Sequence, residues 1–281
     1  MSFNVFIQND EVPDLNLVIG LPQHLIDKVQ AGDVDTCVNI AKAIISKYEK
    51  LPDAESPVRE NAYLRTLDEH KFYMNFDHQD LAIREILLDF ALHGEYEPHT
   101  TALVKDVVKP GDTAVDIGAS IGYFTLLLAR QVGKTGTVCS FEPTGNQYPI
   151  LVKNIQENGY EAYVIPHNVA GWDRNEEVEI QTNKGNVGIM RGKILDELLP
   201  DRVDFIKIDT DGSEPHVLKG LLKTIENNSQ LKMVIEFYPK YIKNLGGNPD
   251  DVMDILNKYF ILEKIAGDYN DEYWNYYCIR K

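Results

Sequence analysis

The sequence predicts a doubly wound α/β domain, preceded by a helical extension. Two observations predict this fold. From about residue 109, short apolar runs that end at glycine or an acidic residue alternate with helical patterns, which is typical of a parallel sheet flanked by helices. Two further strand patterns, joined by a polar turn, then close the sequence and predict an antiparallel hairpin at one edge of the sheet.

The helical extension is predicted over residues 1–93. Apolar residues such as Leu25, Val29 and Ile44 recur at three- and four-residue steps, and Gly94 is suited to end the last helix. Residues 1–20 show no such period and are interpreted as an extended arm. Because apolar stripes must be buried against something, the extension is expected to cover an acceptor site or to form the face of a homodimer.

The main domain is predicted over residues 94–281. Its core strands are expected at 113–118, 137–142, 162–167, 204–209 and 232–237, and its closing hairpin at 260–265 and 273–279. Helices are expected at 123–131, 147–158, 214–225 and 250–259. Residues 177–181 and 187–190 alternate with period two, which predicts a hairpin inserted between the third and fourth strands.

Charge and composition exclude several classes of protein. The chain has 28 Lys and Arg against 44 Asp and Glu, a net charge of −16, and 43% of its residues are apolar. This apolar content excludes an unfolded chain. The negative field repels phosphate backbones and anionic membranes, so we expect no nucleic-acid partner, no membrane and instead a small uncharged or cationic partner.

Three cysteines, Cys37, Cys139 and Cys278, are widely spaced and form no C-x-x-C pair, which argues against a disulfide framework and a zinc ribbon. The first residues lack the basic and apolar regions of a secretory signal. No apolar window approaches the ~18 residues of a membrane span. The expectation is a soluble, cytoplasmic protein.

A loop of small residues follows the first core strand. It contains Gly118, Ala119, Ser120 and Gly122, and Asp116 stands two residues before its first glycine. Small residues let the backbone approach a ligand, and the following helix presents free N–H groups there. Asp116 would repel a pyrophosphate but suits a cation such as the sulfonium or amino group of S-adenosylmethionine. The alternative is an ordinary tight turn between strand and helix.

Residues after the second and third strands extend this cofactor site. Glu142 ends the second strand and is placed to accept both ribose hydroxyls, with Pro143 directly after it. Asn168 follows the third strand, where such folds contact adenine, although its segment could equally be a turn. These residues, with the small-residue loop and with Asp209 after the fourth strand, predict a site for S-adenosylmethionine.

A third motif follows the fourth strand and is rich in carboxylates. Asp209, Asp211 and Glu214 lie within six residues, and His216 follows. Asp211 before glycine is a good turn residue, and Glu214 suits the first turn of a helix, so both have a structural alternative. Asp209 has a weaker one, because a carboxylate at the end of a buried strand is costly without a partner or a function.

Four segments together resemble one family. They are VVKPGDTAVDIGASIGYFT at 107–125, FEP at 141–143, IKIDTDGSEPHVLKG at 206–220 and VIEFYP at 234–239. In this order they resemble the FkbM family of S-adenosylmethionine-dependent methyltransferases, over about residues 94–239. The resemblance implies a Rossmann-like class I methyltransferase sheet and O-methylation of a sugar, polyketide or other small metabolite. Asp211 stands where Glu is common in the family, and Ser120 where Asn or Gly is common.

For such a reaction Asp209 is our first candidate for the base or acceptor orienter, with Glu214 and His216 behind it. Asp209, Asp211 and Glu236 would be the oxygen ligands of a metal-dependent sugar O-methyltransferase, but the resemblance implies that no metal is used.

A non-catalytic cofactor-binding protein is a further alternative. A dinucleotide oxidoreductase is opposed by Asp116, and a nucleic-acid methyltransferase by the charge and the missing base-methylation tetrapeptide.

Overall fold

The structure is a computed structural model of the 281-residue chain. It describes residues 4–8, 17–20, 63–65, 70–74, 86, 89–90, 93–181, 187–265 and 273–281. Two compact units divide the chain, Met1–Pro98 and His99–Lys281. Within the described ranges, every helix is too short or too polar to cross a membrane.

The described part of the first unit contains a four-stranded antiparallel sheet. Its strands are β1 (Asn4–Gln8), β2 (Leu17–Gly20), β3 (Tyr63–Arg65) and β4 (Lys71–Tyr73), in the order β2-β1-β3-β4. Residues 86, 89, 90 and 93 are helical, and the rings of Phe72 and Phe90 stack at a centroid distance of 6.4 Å.

These strands correct the helical extension predicted over residues 1–93. Both β3 and β4 fall inside the stretch assigned to helices, while the helical residues before Gly94 agree with it. Each strand has only three residues, too few to establish a period, and Leu64 of β3 pairs with Ile7 far away in sequence. The helices predicted between residues 22 and 50 lie outside the described residues.

A seven-stranded sheet forms the centre of the second unit. Its strands are β5 (Thr113–Ile117), β6 (Thr137–Phe141), β7 (Val164–His167), β11 (Phe205–Ile208), β12 (Lys232–Phe237), β13 (Phe260–Lys264) and β14 (Trp274–Arg280). The order is β13-β14-β12-β11-β5-β6-β7. Neighbours from β12 to β7 run parallel, and β14 runs antiparallel to both β12 and β13. The predicted α/β fold with its antiparallel hairpin is confirmed.

Seven helices accompany this sheet in the described part of the second unit. They are α1 (Pro98–Val107), α2 (Tyr123–Val132), α3 (Tyr148–Glu157), α4 (Glu214–Lys219), α5 (Leu222–Asn227), α6 (Pro239–Asn244) and α7 (Pro249–Tyr259). Apolar strand residues such as Ile117, Ile206 and Met233 are buried in one core with Val217 of α4 and Leu256 of α7. Burial of this core supplies the main driving force for folding.

A smaller sheet is inserted between β7 and β11. It consists of β8 (Ala170–Trp172), β9 (Glu176–Gln181) and β10 (Val187–Ile194), in the order β8-β10-β9. The antiparallel β9–β10 pair confirms the predicted hairpin. The short strand β8, which pairs parallel with β10, carries no pattern that the sequence could reveal.

The helix predicted over 214–225 is two helices. A Cβ on Gly220 would lie 2.1 Å from the carbonyl oxygen of Trp172, so the chain passes against β8 where α4 ends. Asp196 then accepts hydrogen bonds from the backbone N–H groups of Lys223 and Thr224, both at 2.8 Å, in the first turn of α5. Asp196 lies 27 residues before Lys223 in the sequence, so a local pattern could not indicate the break.

Candidate active site

The candidate site lies at the carboxyl ends of β5, β6 and β11. The N–H groups of Gly118 and Ala119 both donate to the carbonyl of Phe141 at 3.0 Å, and the N–H of Asp209 donates to the carbonyl of Ile117 at 2.9 Å. Ligands of open parallel sheets bind at this edge. These hydrogen bonds fix the loops after the three strands against one another.

The small-residue loop adopts a conformation that favours glycine. The φ angles of Gly118, Ser120 and Gly122 are +83°, +51° and +99°. A Cβ on Gly118 would lie 1.7 Å from the carbonyl oxygen of Asp209, so this position admits only glycine. Gly122 is the N-cap of α2, and the loop therefore leads to the N–H groups at the start of a helix, which are suited to an anionic group.

Asp116 lies in β5 below this loop, where it is 2% exposed. Its Oδ2 accepts a hydrogen bond from Oγ1 of Thr125 at 2.6 Å. Burial raises the pKa of Asp116 to about 6, while the Thr125 hydrogen bond and the ammonium of Lys207 act in the opposite direction. The carboxylate is thus held by the protein and would be stabilised by an additional cation.

Glu142 directly follows β6 and is 3% exposed. Its Oε2 accepts from the N–H of Ser120 at 2.8 Å, and its Oε1 accepts from both the N–H and the hydroxyl of Thr144 at 2.8 and 2.5 Å. Burial raises the pKa of Glu142, and these hydrogen bonds partly offset the rise. Oε1 therefore already accepts two hydrogen bonds, whereas Oε2 can accept one more, so Glu142 joins two loops and can also bind a hydroxyl group.

Asn168 supports the backbone beside Glu142. Its Nδ2 donates to the carbonyl oxygens of Glu142 and Pro143 at 2.9 and 3.1 Å. The amide nitrogen of Asn168 is therefore bound to the protein chain. A contact of Asn168 with adenine stays a prediction.

Asp209 follows β11 and is paired with a lysine that the sequence analysis did not single out. Nζ of Lys207 lies 2.7 Å from Oδ2 of Asp209, and the two side chains are 2% and 27% exposed. The same ammonium lies 4.2 Å from the ring centroid of Phe124, in α2. A lysine within the apolar run FIKI, two residues before an aspartate, was the signal that could have found this pair.

Glu214 occupies the inner side of the turn that follows Asp209. It is 1% exposed, and its Oε1 accepts from the hydroxyl of Thr210 at 2.9 Å and the N–H of Gly212 at 3.1 Å. Burial raises the pKa of Glu214. Asp211 and Gly212 have φ angles of +51° and +110° in this turn. These hydrogen bonds stabilise the turn, and the Glu214 side chain is buried within it.

His216 contacts the smaller sheet. Its ring stacks on Trp172 at a centroid distance of 3.9 Å, and its Nδ1 lies 3.2 Å from Oδ2 of Asp173. The structure therefore brings together Asp116, Glu142, Asp209 and the loop, whereas His216 packs on β8. A catalytic role for Glu214 or His216 stays a prediction without a supporting contact.

The proposed metal ligands Asp209, Asp211 and Glu236 do not assemble. Across residues 93–181, 187–265 and 273–281, as in the rest of what is described, no three His, Cys, Asp or Glu side chains form a group that could hold a metal ion. The site instead contains three carboxylates, one of which is paired with an ammonium. This excess of negative charge beside a loop of small residues fits a cationic ligand that also carries hydroxyls.

S-adenosylmethionine meets both requirements, with its sulfonium and amino groups and its ribose. The fold and site thus define a class I methyltransferase. The sequence matches the model of the methyltransferase FkbM domain over residues 116–260, slightly more than half of the chain. The chain belongs to the FkbM methyltransferase family, as its sequence motifs predict, and uses S-adenosylmethionine as its cofactor.

Several solved structures are similar to this chain in fold. A precorrin-6y C5,15-methyltransferase from Geobacter metallireducens is 14% identical, with 66% of this chain and 88% of that chain covered and a TM-score of 0.44. A SAM-dependent methyltransferase from Aquifex aeolicus is 16% identical (65% and 89% covered, TM-score 0.41). Aeropyrum pernix fibrillarin, solved with natively bound S-adenosyl-L-methionine, is 13% identical (64% and 73%, TM-score 0.41). Curated protein sequences give no match.

Proposed function

We propose that this methyltransferase methylates a hydroxyl oxygen of a small-molecule acceptor. The observation that carries the proposal is the Asp209 carboxylate, which ends the central strand β11 with its side chain 27% exposed and one ammonium 2.7 Å away. A partly exposed carboxylate with a fixed position can accept the proton of a hydroxyl group. Asp116 and Glu142, by contrast, are almost fully buried.

We assign cofactor binding to the residues around the small-residue loop. They are Asp116, Gly118, Ala119, Ser120, Gly122, Glu142, Pro143 and Asn168. When bound, S-adenosylmethionine supplies an electrophilic methyl group on a sulfonium sulfur. Asp116 and Glu142 contribute negative charge and hydrogen-bond acceptors, and the small residues of the loop let its backbone approach the ligand.

Asp209 would act on the acceptor. Its carboxylate orients the hydroxyl group and takes its proton while the oxygen–carbon bond forms and the sulfur–carbon bond breaks, which leaves a methyl ether and S-adenosylhomocysteine. Removal of this proton by a positioned base contributes about 10²–10⁴-fold to the rate. Glu214 is assigned to the turn after Asp209, because its oxygen already binds Thr210 and Gly212.

The choice of a small acceptor rests on charge. The net charge of −16 disfavours a phosphate polymer, and a sugar or polyketide hydroxyl carries no charge that this field would repel. The family resemblance implies the same acceptor class. Oxygen is favoured over nitrogen as the methylated atom because a neutral hydroxyl requires a base, and Asp209 is available as one.

The test is a turnover assay of the full chain. The protein is incubated with S-adenosylmethionine and a panel of sugars, polyketides and phenols, with matched amines and an RNA oligonucleotide alongside, each with and without EDTA. We expect S-adenosylhomocysteine and a methyl ether with at least one hydroxylated compound, at a rate that EDTA does not change. Methylation confined to amines or RNA would contradict the proposal, and loss of turnover in EDTA would favour the metal-dependent alternative.

A further inference from the structure

Lys207 is a buried cation in the middle of the seven-stranded sheet. Lys207 is 1% exposed. The other residues of the same strand, Phe205, Ile206 and Ile208, are also no more than 1% exposed. Its Cα pairs with those of Asp116 in β5 and Val234 in β12, so both neighbouring strands flank it. Burial of an ammonium group costs free energy unless the group is well paired. An apolar side chain at this position would avoid that cost.

The contacts of Lys207 show where its ammonium acts. Nζ of Lys207 donates a hydrogen bond to Oδ2 of Asp209, two residues later in the chain, at 2.7 Å. It also lies 4.2 Å from the ring centroid of Phe124 in α2. Asp116, its neighbour in the sheet, receives its hydrogen bond from Thr125 instead, at 2.6 Å. The ammonium is thus clamped between a helix and the end of its own strand, and its short hydrogen bond goes to Asp209.

We propose that Lys207 is the positioning residue of the reaction, which holds the Asp209 carboxylate in one orientation at the end of β11. The inference rests on the proposed role of Asp209 and adds the residue through which that role is maintained. Asp209 is 27% exposed on its side chain, so without a fixed partner it would exchange between orientations and water contacts. Lys207 itself is too deeply buried to meet the acceptor.

The ion pair also predicts how the two single variants differ in stability. Replacing one partner of a buried ion pair is most costly when the remaining charge is buried too. In Lys207→Met the remaining charge is Asp209, which water can reach, so the folding penalty should be modest. In Asp209→Asn the remaining charge is the buried ammonium, so that variant should be the less stable of the two.

The test is a double-mutant cycle of Lys207→Met and Asp209→Asn, assayed with whichever hydroxylated compound of the panel gives the highest turnover. We expect kcat to fall about tenfold or more in Lys207→Met, the loss of one charge-assisted hydrogen bond, with little change in the calorimetric affinity for S-adenosylhomocysteine. Lys207→Met should then have little further effect on kcat in the Asp209→Asn background, because it acts through Asp209.

The matched control is Lys219→Met. It removes the same charge from an exposed pair, in which Lys219 lies 2.7 Å from Asp251 with side chains 42% and 39% exposed, and it should leave kcat unchanged. Thermal unfolding gives a reading that needs no acceptor: Lys207→Met should restore part of the stability lost in Asp209→Asn. If Lys207→Met does not fold, Lys207→Gln also removes the charge and can replace it in the cycle, with a smaller expected loss in kcat because its amide can still donate a hydrogen bond.

Two results overturn the inference, and they can be told apart. If Asp209→Asn is slow while Lys207→Met is as fast as the unmodified protein, or if the two losses in kcat simply multiply in the double variant, Lys207 does not act through Asp209. If Asp209→Asn itself retains full kcat, the proposed role of Asp209 fails, and the role of Lys207 fails with it.

Discussion

The carboxylates on the two sides of the small-residue loop are held in different ways. On the β5–β6 side, Asp116 and Glu142 are 2% and 3% exposed and accept hydrogen bonds from hydroxyl or backbone N–H groups. On the β11 side, the Asp209 side chain is 27% exposed and has an ammonium as its partner. From this difference we propose a division of work, in which the β5–β6 side binds the cofactor and the β11 side presents the reactive group.

The strongest test of this division is Asp209→Asn. The amide keeps the shape of the side chain but cannot accept a proton as readily, so kcat should fall by about 10²-fold or more. The affinity for S-adenosylmethionine, measured by calorimetry, should change by much less. Equal losses in both quantities would mean that the two sides are not separate.

The backbone at which the two sides touch offers a second test. Gly118→Ala places a Cβ 1.7 Å from the carbonyl oxygen of Asp209, at a φ angle of +83°. The free energy of unfolding should fall by about 2–3 kcal/mol, from overpacking and backbone strain together.

The control for that substitution is Gly159→Ala. Gly159 also has a positive φ angle, +71°, but a Cβ there would meet no atom within 4 Å. Its cost should therefore be only the strain, about 1 kcal/mol. Both values can be measured by urea unfolding, and equal losses would show that the contact with Asp209 is soft.

Glu142→Ala tests the cradle directly. The variant loses the acceptors proposed for the ribose hydroxyls and also the hydrogen bonds that join Ser120 and Thr144. The affinity for S-adenosylmethionine should fall about tenfold or more. An unchanged affinity in calorimetry would remove Glu142 from the cofactor site, whatever its effect on stability.

The smallest expected effect is a pH dependence of cofactor binding. The pKa of Asp116 is raised to about 6 from 3.8, first by burial and also by Asp209, against the lowering by Thr125 and Lys207. As the pH rises through 6, Asp116 ionises and the free energy of unfolding of the protein without cofactor falls. A bound cation offsets this loss because it stabilises the carboxylate. Affinity for S-adenosylmethionine should be about three- to tenfold higher at pH 7 than at pH 5.

The matching variant is Asp116→Asn, in which most of this dependence should vanish. Any slope that remains would belong to Glu142, whose pKa is also raised by burial. A slope as steep as that of the unmodified protein would show that Asp116 does not sense the cofactor.

The sequence predicted those elements of the fold that depend mainly on residues close together in the chain. The apolar runs of β5, β6, β11 and β12 and the small residues of the loop each carry their own signal. The division of the 214–225 helix was missed, because Gly220 packs against Trp172 and Asp196 caps α5 from another part of the chain. The strands β3 and β8 were missed because three residues establish no period.

The candidate site divides in the same way. Asp116, Glu142 and Asp209 were found because acids within or directly after buried strands are unusual, and the structure places them together. Lys207 was missed because lysines are usually exposed, and only the sheet register and α2 reveal that this one is enclosed. The surroundings of Glu214 and His216 depend on the turn after Asp209 and on β8, which no local pattern specifies.

The position of β14 has a consequence for how the chain is made. This strand lies between β12 and β13, although it follows both in sequence. While β14 is still inside the ribosome, β12 and β13 each have a vacant edge where it will later pair, and vacant edges favour aggregation. Chaperone dependence during synthesis, and rapid proteolysis of any chain stalled before residue 273, would follow from this strand order.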